Sequence, residues 1–163
     1  MIRKATYSDI ESIMPIYDSA RNFMRSRGNT VQWVNGYPSE QQVRRDIDNG
    51  NLYVGTIDER IAFVFAFILG EDPTYSRIDD GQWLDDAPYG TIHRLATLAI
   101  EKGAFESCLR YCLKIIDNIR MDTHEQNLPM RKIAERFGFV RCGIIYVAAG
   151  TPRIAYQTPR KKE

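Results

Sequence analysis

The stretch LATLAIEKGAFESCLRYCLKII, residues 95–116, decides the fold because its character changes halfway along. Its first part is apolar and partly β-branched, which favours a buried strand. Its second part carries apolar residues at the spacing of one helix face: Phe105, Cys108, Leu109, Cys112, Leu113 and Ile116. Only the short segment Glu101-Lys102-Gly103-Ala104 lies between the two parts. The stretch therefore predicts a buried strand that leads directly into a helix.

This strand-to-helix turn is a candidate anion site. The first N–H groups of a helix have no intrahelical acceptor, and together with the helix dipole they favour a bound phosphate. Gly103 lets the backbone approach a ligand closely, and Lys102 could add a positive charge. An ordinary turn with a surface lysine explains the same residues equally well. The phosphate-binding motifs GxxxxGK[ST] and GxGxxG do not occur in the sequence.

Helices and strands mix on both sides of this stretch. Ser8 and Glu11 have the spacing of a capping box that opens a helix, and Pro15 inside that helix predicts a kink or a break. Ser39 is expected to cap a second helix that ends at Asn49-Gly50. Strands are expected at about residues 2–6, 51–57, 61–69, 90–98 and 119–123.

The last part of the chain predicts a helix followed by a hairpin. Asn127 with Pro129 indicates the start of the helix, and Gly138 indicates its end. The hairpin is expected at about residues 139–157, and Asp58-Glu59 suits a second tight hairpin earlier in the chain. This order of elements favours an α+β fold, a mixed sheet with helices on its faces.

Length, charge and cysteine content limit the classes of protein. The 163 residues suggest one domain, residues 1–163, and a net charge of +1 gives no reason to expect nucleic acid or an anionic membrane as a partner. No apolar window approaches the roughly 20 residues that cross a bilayer. The three cysteines, an odd and sparse set, suggest reduced thiols in the cytoplasm. Cys108 and Cys112 are expected to pack in the core, since no further ligands are spaced for a metal.

Several motifs in a fixed order identify a family resemblance. They are Ile2-Arg3-Lys4-Ala5-Thr6-x-x-Asp9, His93-Arg94-Leu95-Ala96-Thr97, Asp122-Thr123-His124, Asn127-x-Pro129-Met130, Gly138-Phe139 and Cys142-Gly143-x-Ile145-Tyr146. Over nearly its whole length the chain resembles the GNAT superfamily of acyl-coenzyme A dependent N-acyltransferases, and in particular one bacterial branch of it. The resemblance implies a central mixed, mostly antiparallel sheet that is splayed after the fourth strand, with helices on both faces.

The resemblance also implies where acetyl-CoA would bind. In the family the central strand ends in a bulge, and the cofactor lies in the gap that opens there. Leu95 and Thr97 would pair with the pantetheine arm, and Asn127 would hydrogen-bond to it. The residues that would cradle the pyrophosphate are Lys102, Gly103, Ala104 and Phe105.

Two positions depart from the family pattern. In the phosphate loop only Gly103-Ala104 remains, and Phe105 stands where a second small residue is common, which predicts weaker or differently shaped phosphate binding. Many members also carry a tyrosine seven residues after the asparagine, where it protonates the leaving thiolate. Ala134 occupies that position here, so the general acid must be another residue, a water molecule, or absent.

Direct acetyl transfer to an amine requires a proton acceptor, donors at the developing oxyanion and close positioning of the reactants. His93, on the central strand, is a candidate base, and His124, after the fifth strand, is a candidate base or acid. Tyr146, in the final hairpin, is a candidate acid for the thiolate. Each also has an ordinary reading, as a core or surface histidine or a half-buried strand aromatic. The chemistry needs no covalent intermediate, so the cysteines are not required.

The resemblance implies that the loop between the first two helices shapes the acceptor pocket, and Trp33 and Tyr37 lie in this loop, although packing beside the core explains both rings too. Asp85 and Asp86 precede the central strand and could attract a cationic amine, although a solvated loop explains them too. The predicted function is acetyl transfer from acetyl-CoA to a primary amine of a small molecule or peptide, in a monomer or homodimer. The alternatives are a non-catalytic acyl-CoA binding or sensing domain and an interaction module with no ligand.

Overall fold

The computed structural model describes residues 1–98 and 102–159; Glu101 of the predicted turn and the basic tail from Arg160 lie outside these ranges. Within them, the α-helices are α1 (Ile10–Ser26), α2 (Glu40–Asp48), α3 (Ala104–Leu113) and α4 (Leu128–Arg136). The strands are β1 (Ile2–Lys4), β2 (Leu52–Ile57), β3 (Arg60–Leu69), β4 (Gly90–Thr97), β5 (Ile119–Thr123), β6 (Val140–Tyr146) and β7 (Pro152–Gln157). The predicted mixed fold with a mostly antiparallel sheet is confirmed.

Two compact units divide the chain. The first contains residues 1–67 and 93–111, and the second contains residues 68–92 and those from 112 onward. The boundary passes through β4, which contributes residues 90–92 to the second unit and the remainder to the first. One domain over residues 1–163 stays a prediction.

The first unit has the strand order β1-β2-β3-β4. The predicted hairpin between β2 and β3 is confirmed: Asp58 and Glu59 both have positive φ, +50° and +67°, as in the turns whose twist matches that of the strands. Ser39 caps α2 as predicted, and its hydroxyl accepts the N–H of Gln42 at 3.1 Å. These features arise from local residue chemistry, which explains why sequence predicts them.

Helix α1 packs on this sheet but differs from prediction in two respects. The sequence predicts a kink or a break at Pro15; the helix is continuous through Pro15, so the break is wrong, and the kink stays a prediction. Proline removes one hydrogen bond to the carbonyl four residues earlier, and Glu11, which carries it, is exposed and can be solvated by water. The capping pair is also different: the N–H of Thr6 donates to the Asp9 carboxylate at 2.8 Å, so the pair lies two residues before the expected Ser8 and Glu11. A short 3₁₀ turn therefore precedes α1.

Helix α3 carries the predicted apolar face only in part. Phe105, Cys108, Leu109 and Cys112 are buried, which confirms core packing for both cysteines. Leu113, however, is 40% exposed, and the helix ends there. The prediction that this face continues to Ile116 is wrong because the helical spacing no longer applies beyond the end of the helix.

The second unit has the strand order β4-β5-β7-β6. Strands β4 and β5 are parallel and pair Gly90 with Ile119 and Thr91 with Arg120, whereas the β5–β7 and β7–β6 pairs are antiparallel. The β3–β4 connection, residues 70–89, bonds to the outer edge of β6. Asp79 and Ile144 exchange backbone hydrogen bonds of 2.9 and 2.8 Å. That edge of β6 therefore has a backbone partner at Ile144, which limits its use for pairing with another chain.

Gly81 permits the close approach of the β3–β4 connection to β6. A Cβ atom at Gly81 would lie 1.9 Å from the carbonyl oxygen of Cys142, so the two backbones would have to separate. We expect Gly81→Ala to lower the free energy of unfolding by about 3 kcal/mol, measured by chemical denaturation. Gly150→Ala is the matched control, since Gly150 also has positive φ but open space around it. Its cost should stay near 1 kcal/mol; equal costs would contradict the close-contact explanation.

Candidate functional site

Strand β4 contains a residue in the left-handed region. Arg94 has a φ of +51°, inside a strand that otherwise runs from Gly90 to Thr97. A non-glycine residue in this conformation interrupts the alternation of the strand and redirects the following N–H groups, as β-bulges do. This is the part of the chain where the family resemblance implies a bulge.

The side chain of Arg94 is held by a buried ion pair. Its guanidinium donates to both carboxylate oxygens of Asp46 at 2.8 Å, and only 12% and 5% of these two side chains are exposed. Its Nη1 also donates to the hydroxyl of Tyr37 at 3.1 Å. The hydroxyl of Tyr17 donates to the Arg94 carbonyl at 2.8 Å, and burial raises the pKa of Tyr17, so this hydroxyl keeps its proton. Both the backbone and the side chain of Arg94 are therefore fixed.

The predicted acceptor residues Trp33 and Tyr37 lie in the same network. The ring of Trp33 packs edge-on against Tyr17, with centroids 5.7 Å apart, and Tyr37 contacts Arg94 as described. Trp33 has a positive φ of +53°. Arg25 holds this loop in place because its guanidinium donates to the carbonyls of Asn29, Gln32 and Trp33 at 2.7 to 3.0 Å. The first unit thus brings these predicted acceptor residues close to Arg94. We call this residue, with its left-handed backbone conformation, the left-handed turn of β4.

A pocket of about 100 Å³ lies at the start of α3. Gly103 precedes the helix with a φ of +83°, and its carbonyl accepts the N–H of Ser107 at 3.0 Å as the helix begins. The residues that line the pocket are Met1, Ile2, Thr56, Ile57, Phe63, Lys102, Gly103, Ala104 and Ser107. A helix start with an exposed lysine beside it is suited to a phosphate group.

The remaining predicted cofactor residues of the first unit have different environments. Phe105 is only 6% exposed and is not among the pocket-lining residues, so its bulk does not fill the pocket. The hydroxyl of Thr97 lies 3.3 Å from the Leu98 carbonyl and 3.5 Å from that of Ala62. Leu95 and His93 are half-buried on either side of Arg94. These two therefore border the left-handed turn.

In the second unit, His124 and Asn127 lie between β5 and α4. The Nδ1 of His124 accepts the N–H of Gln126 at 3.0 Å, which assigns the proton of the neutral ring to Nε2. Burial, with a contribution from the positive charge of Arg153, lowers the pKa of His124 below its ordinary value of 6.5. His124 is therefore a neutral hydrogen-bond donor at neutral pH. Asn127 caps α4, and its Oδ1 accepts the N–H of Met130 at 3.3 Å.

Tyr146 donates a hydrogen bond to a carboxylate. Its hydroxyl lies 2.9 Å from Asp79, and Arg77 stands 4.4 Å from the centre of its ring. The hydrogen bond to Asp79 raises the pKa of Tyr146, which makes it a weaker acid. Its role as the thiolate acid stays a prediction and would require this hydrogen bond to break. Ala134, at the usual tyrosine position, is fully buried.

Asp85 has a structural environment. Its Oδ1 accepts hydrogen bonds from the backbone of Ala87 at 3.1 Å and from the side chains of Asn118 and Gln157 at 3.3 and 3.4 Å. These contacts fix the β3–β4 connection to the ends of β5 and β7. The contacts of Asp85 therefore favour a structural role over attraction of a substrate amine.

Sequence analysis missed three residues of the first unit: Tyr17, Asp46 and Arg94. Arg94 belongs to one of the motifs, which names no partner for it, and Tyr17 has the pattern of an apolar residue on the inner face of α1. The available signal was a charge where the pattern demands an apolar residue: Asp46 lies three residues after the buried Val43, on the inner face of α2. Two opposite charges at buried positions predict an ion pair, although not its purpose.

Residues 1–98 and 102–159 give no support for a metal site or for a membrane-spanning helix. No cluster of three or more His, Cys, Asp or Glu side chains in these ranges is placed to hold a metal ion. None of the helices there has the length and apolar character needed to cross a membrane.

Comparisons with known proteins identify structural relatives. A GNAT-family acetyltransferase from Streptococcus agalactiae has a TM-score of 0.90 and 32% sequence identity, over 99% of this chain and 96% of that chain. GNAT-family acetyltransferases from Listeria monocytogenes (18% identity, TM-score 0.71, 97% and 93% covered) and Bacillus cereus (22%, 0.63, 99% and 98%) share the fold. No protein-family model and no curated protein matches the sequence.

Proposed function

Because this chain belongs to the GNAT family of acetyltransferases, we propose that it transfers an acetyl group from acetyl-CoA to a primary amine of a small molecule or peptide. Transfer is direct, within a ternary complex. The observation that carries this proposal is the pocket at the start of α3, in the same unit as the left-handed turn of β4. A phosphate site and redirected strand amides are the two backbone features that this chemistry needs.

The pocket is proposed to receive the pyrophosphate of acetyl-CoA. Gly103 and Ala104 present the start of α3, and Lys102 supplies a positive charge at the rim. Phe105 is buried and does not line the pocket, which supports the proposal that a phosphate fits there. Phe63, on β3, forms part of the pocket wall and covers Gly55 of β2, where a Cβ atom would lie 2.0 Å from the ring.

Strand β4 is proposed to supply the donors for the acetyl carbonyl. The φ of Arg94 turns the backbone out of the regular strand direction, and the N–H groups that follow it are proposed to donate to the acetyl oxygen. Donors held in fixed positions stabilise the oxyanion without reorganisation. Leu95 and Thr97 are proposed to pair with the pantetheine arm along the same strand.

The proposed base is His93, and the proposed role of His124 is hydrogen-bond donation. His124 uses Nδ1 as an acceptor for Gln126 and keeps its proton on Nε2, so it is poorly arranged to accept a proton from an amine. His93 is half-buried directly before Arg94, beside the turn at which the acetyl group is proposed to lie. The thiolate is then protonated by water. Tyr146 stays a candidate for this acid, and that role would require its hydrogen bond to Asp79 to break.

We expect His93→Ala to lower kcat by about 100-fold or more, the usual contribution of a general base. The dissociation constant of acetyl-CoA should be unchanged, because His93 is not among the pocket-lining residues. Steady-state kinetics and calorimetry measure the two quantities. His124→Asn is the matched variant: asparagine can accept the Gln126 N–H and still donate, so most of the activity should remain. The opposite pattern would assign the base to His124.

A thiol-release assay over a panel of amines tests the proposed function. Release of CoA that depends on both acetyl-CoA and an amine supports it. Binding of acetyl-CoA without release on any amine would favour the alternative, a non-catalytic acyl-CoA sensor. That alternative is supported by the burial of Ala134 at the usual acid position and by the engagement of Tyr146 with Asp79.

A further inference from the structure

The loop between α1 and α2, residues 29–38, has an unusual surface composition. It contains no charged residue, although charged residues make up 26% of the chain and normally lie at the surface. Three of its apolar side chains are nevertheless exposed: Val31 at 40%, Val34 at 44% and Tyr37 at 37%. Exposed apolar residues that are grouped, unlike single ones, mark a binding surface. The composition of this loop therefore favours contact with an apolar group.

Two arginines of α1, one helical turn apart, hold the backbone of this loop. Arg25 donates to three of its carbonyls, as described above. Nη1 of Arg21 donates to the carbonyls of Tyr37 and Pro38 at 3.2 and 3.4 Å. These hydrogen bonds reach both ends of the loop. A surface whose backbone is already fixed loses little conformational entropy when a ligand binds to it.

A tight turn within the loop brings Val34 and Tyr37 together. The N–H of Tyr37 donates to the carbonyl of Val34 at 3.2 Å, and the residues between them, Asn35 and Gly36, have φ values of +57° and +74°. Two positive φ values are typical of a type I′ turn, which favours the sequence Asn-Gly and keeps its first and fourth α-carbons within about 7 Å. Val34 and Tyr37 are therefore neighbouring exposed residues on a turn of fixed shape.

The same loop is connected to the left-handed turn of β4 at two points. The hydroxyl of Tyr37 accepts a hydrogen bond from Arg94, and the ring of Trp33 packs against Tyr17, which donates to the Arg94 carbonyl. All of these residues belong to the first unit, as does His93, the proposed base. Tyr37 thus links the exposed apolar pair to the residue at which the acetyl group is proposed to lie.

We infer that the acceptor is a primary monoamine whose non-reacting part is apolar, and that this part binds against Val34 and Tyr37. The inference rests on the proposed function and specifies its substrate class. Apolar surface that leaves water on binding supplies the affinity, and a loop without charged residues offers no side chain of opposite charge to a second ionised group. The positive charge of Arg25, which contacts the loop, also disfavours a second ammonium group.

A series of amines tests the inference on the unaltered protein. We expect kcat/KM to rise by about 3-fold for each CH2 added from propylamine to hexylamine, because each added CH2 leaves water on binding. Cadaverine and 5-aminopentanol replace the terminal methyl group of hexylamine by an ammonium and a hydroxyl group. Their kcat/KM should be lower by roughly 10-fold or more, since these groups lose hydration without gaining a partner. Rates that do not depend on chain length, or that are highest for cadaverine, overturn the inference.

Variants of Val34 locate the effect. Val34→Asp should lower kcat/KM for hexylamine by roughly 10-fold and raise it for cadaverine, because a carboxylate disfavours an alkyl chain and attracts a second ammonium group. Val34→Leu should keep the preference for hexylamine. Val140→Asp is the matched control, at a valine of β6 that is 38% exposed, and should leave both amines unchanged. Equal losses for hexylamine and cadaverine in Val34→Asp would indicate a structural role and overturn the inference.

Calorimetry in the presence of CoA separates failure of the inference from failure of the proposed function, because it reads amine binding without turnover. Tighter binding of hexylamine than of cadaverine, lost in Val34→Asp, supports the inference even if no acetyl transfer occurs. Transfer that does not depend on the apolar part supports the proposed function and overturns the inference. If none of the amines binds or reacts, the inference is overturned.

Sedimentation of the protein tests another use of the same loop, as an interface between two copies of the chain. Val34→Asp would then change the oligomeric state without changing the preference among amines, and that result would overturn the inference.

Discussion

Replacing Ser107 with tryptophan is expected to weaken acetyl-CoA binding by about 100-fold or more, because the indole ring would occupy the pocket of about 100 Å³ at the start of α3. Hydrogen bonds to a charged group contribute roughly 1.5–3 kcal/mol each, so the loss of two of them accounts for this factor. Ser107 is an exposed residue of that helix, so the larger side chain need not disturb the core. Calorimetric titration with acetyl-CoA measures the effect.

Two controls show whether the lost affinity belongs to the pyrophosphate. Arg110→Trp places the same ring on an exposed position of α3 that does not line the pocket, and it should bind acetyl-CoA normally. S-acetylpantetheine lacks the pyrophosphate, so it should bind more weakly than acetyl-CoA. Its dissociation constant should be the same for the unaltered protein and for Ser107→Trp. Normal acetyl-CoA affinity in Ser107→Trp would remove the pocket from the proposed cofactor site.

The sequence predicted those elements whose signals lie within a few residues of one another. The cap of α2 at Ser39 depends on a residue three positions away, and the β2–β3 turn depends on Asp58 and Glu59 themselves. The same locality explains the prediction of Gly103 before α3. Pro15 shows the limit of this approach, since the rule that proline breaks a helix gives way where the unpaired carbonyl is exposed and the helix face is otherwise well packed.

The parts of the candidate site that sequence missed depend on contacts between distant residues. Arg94 and Asp46 are 48 residues apart, and Tyr146 and Asp79 are 67 apart. A single sequence records that each is charged or polar but not which one it meets. Arg153 shows the same limit outside the site: a lone arginine in a predicted hairpin has the pattern of a surface residue, and its burial follows from packing in the second unit.

Asp46→Ala is expected to cost about 3–5 kcal/mol in the free energy of unfolding, because it leaves the guanidinium of Arg94 buried without its carboxylate. The pair is 12% and 5% exposed at its side chains, so solvent offers little compensation. Chemical denaturation measures the loss. The ion pair of Glu106 with Arg110 on α3 is the matched control: it is 43% and 76% exposed, and Glu106→Ala should cost less than about 0.5 kcal/mol. Similar losses in the two variants would contradict this account.

A compensated double variant separates the stability of the Arg94–Asp46 pair from its effect on the reaction. Asp46→Leu with Arg94→Met replaces the ion pair with apolar side chains of similar volume, which often restores or exceeds the original stability. This replacement removes the Arg94 guanidinium, which donates to Tyr37. The contacts of this side chain that hold the left-handed backbone of residue 94 are then lost. A stable double variant with kcat lowered by 10-fold or more, and with unchanged acetyl-CoA affinity, would mean that the pair positions the β4 backbone for transfer. Full activity in that variant would assign the pair to folding alone.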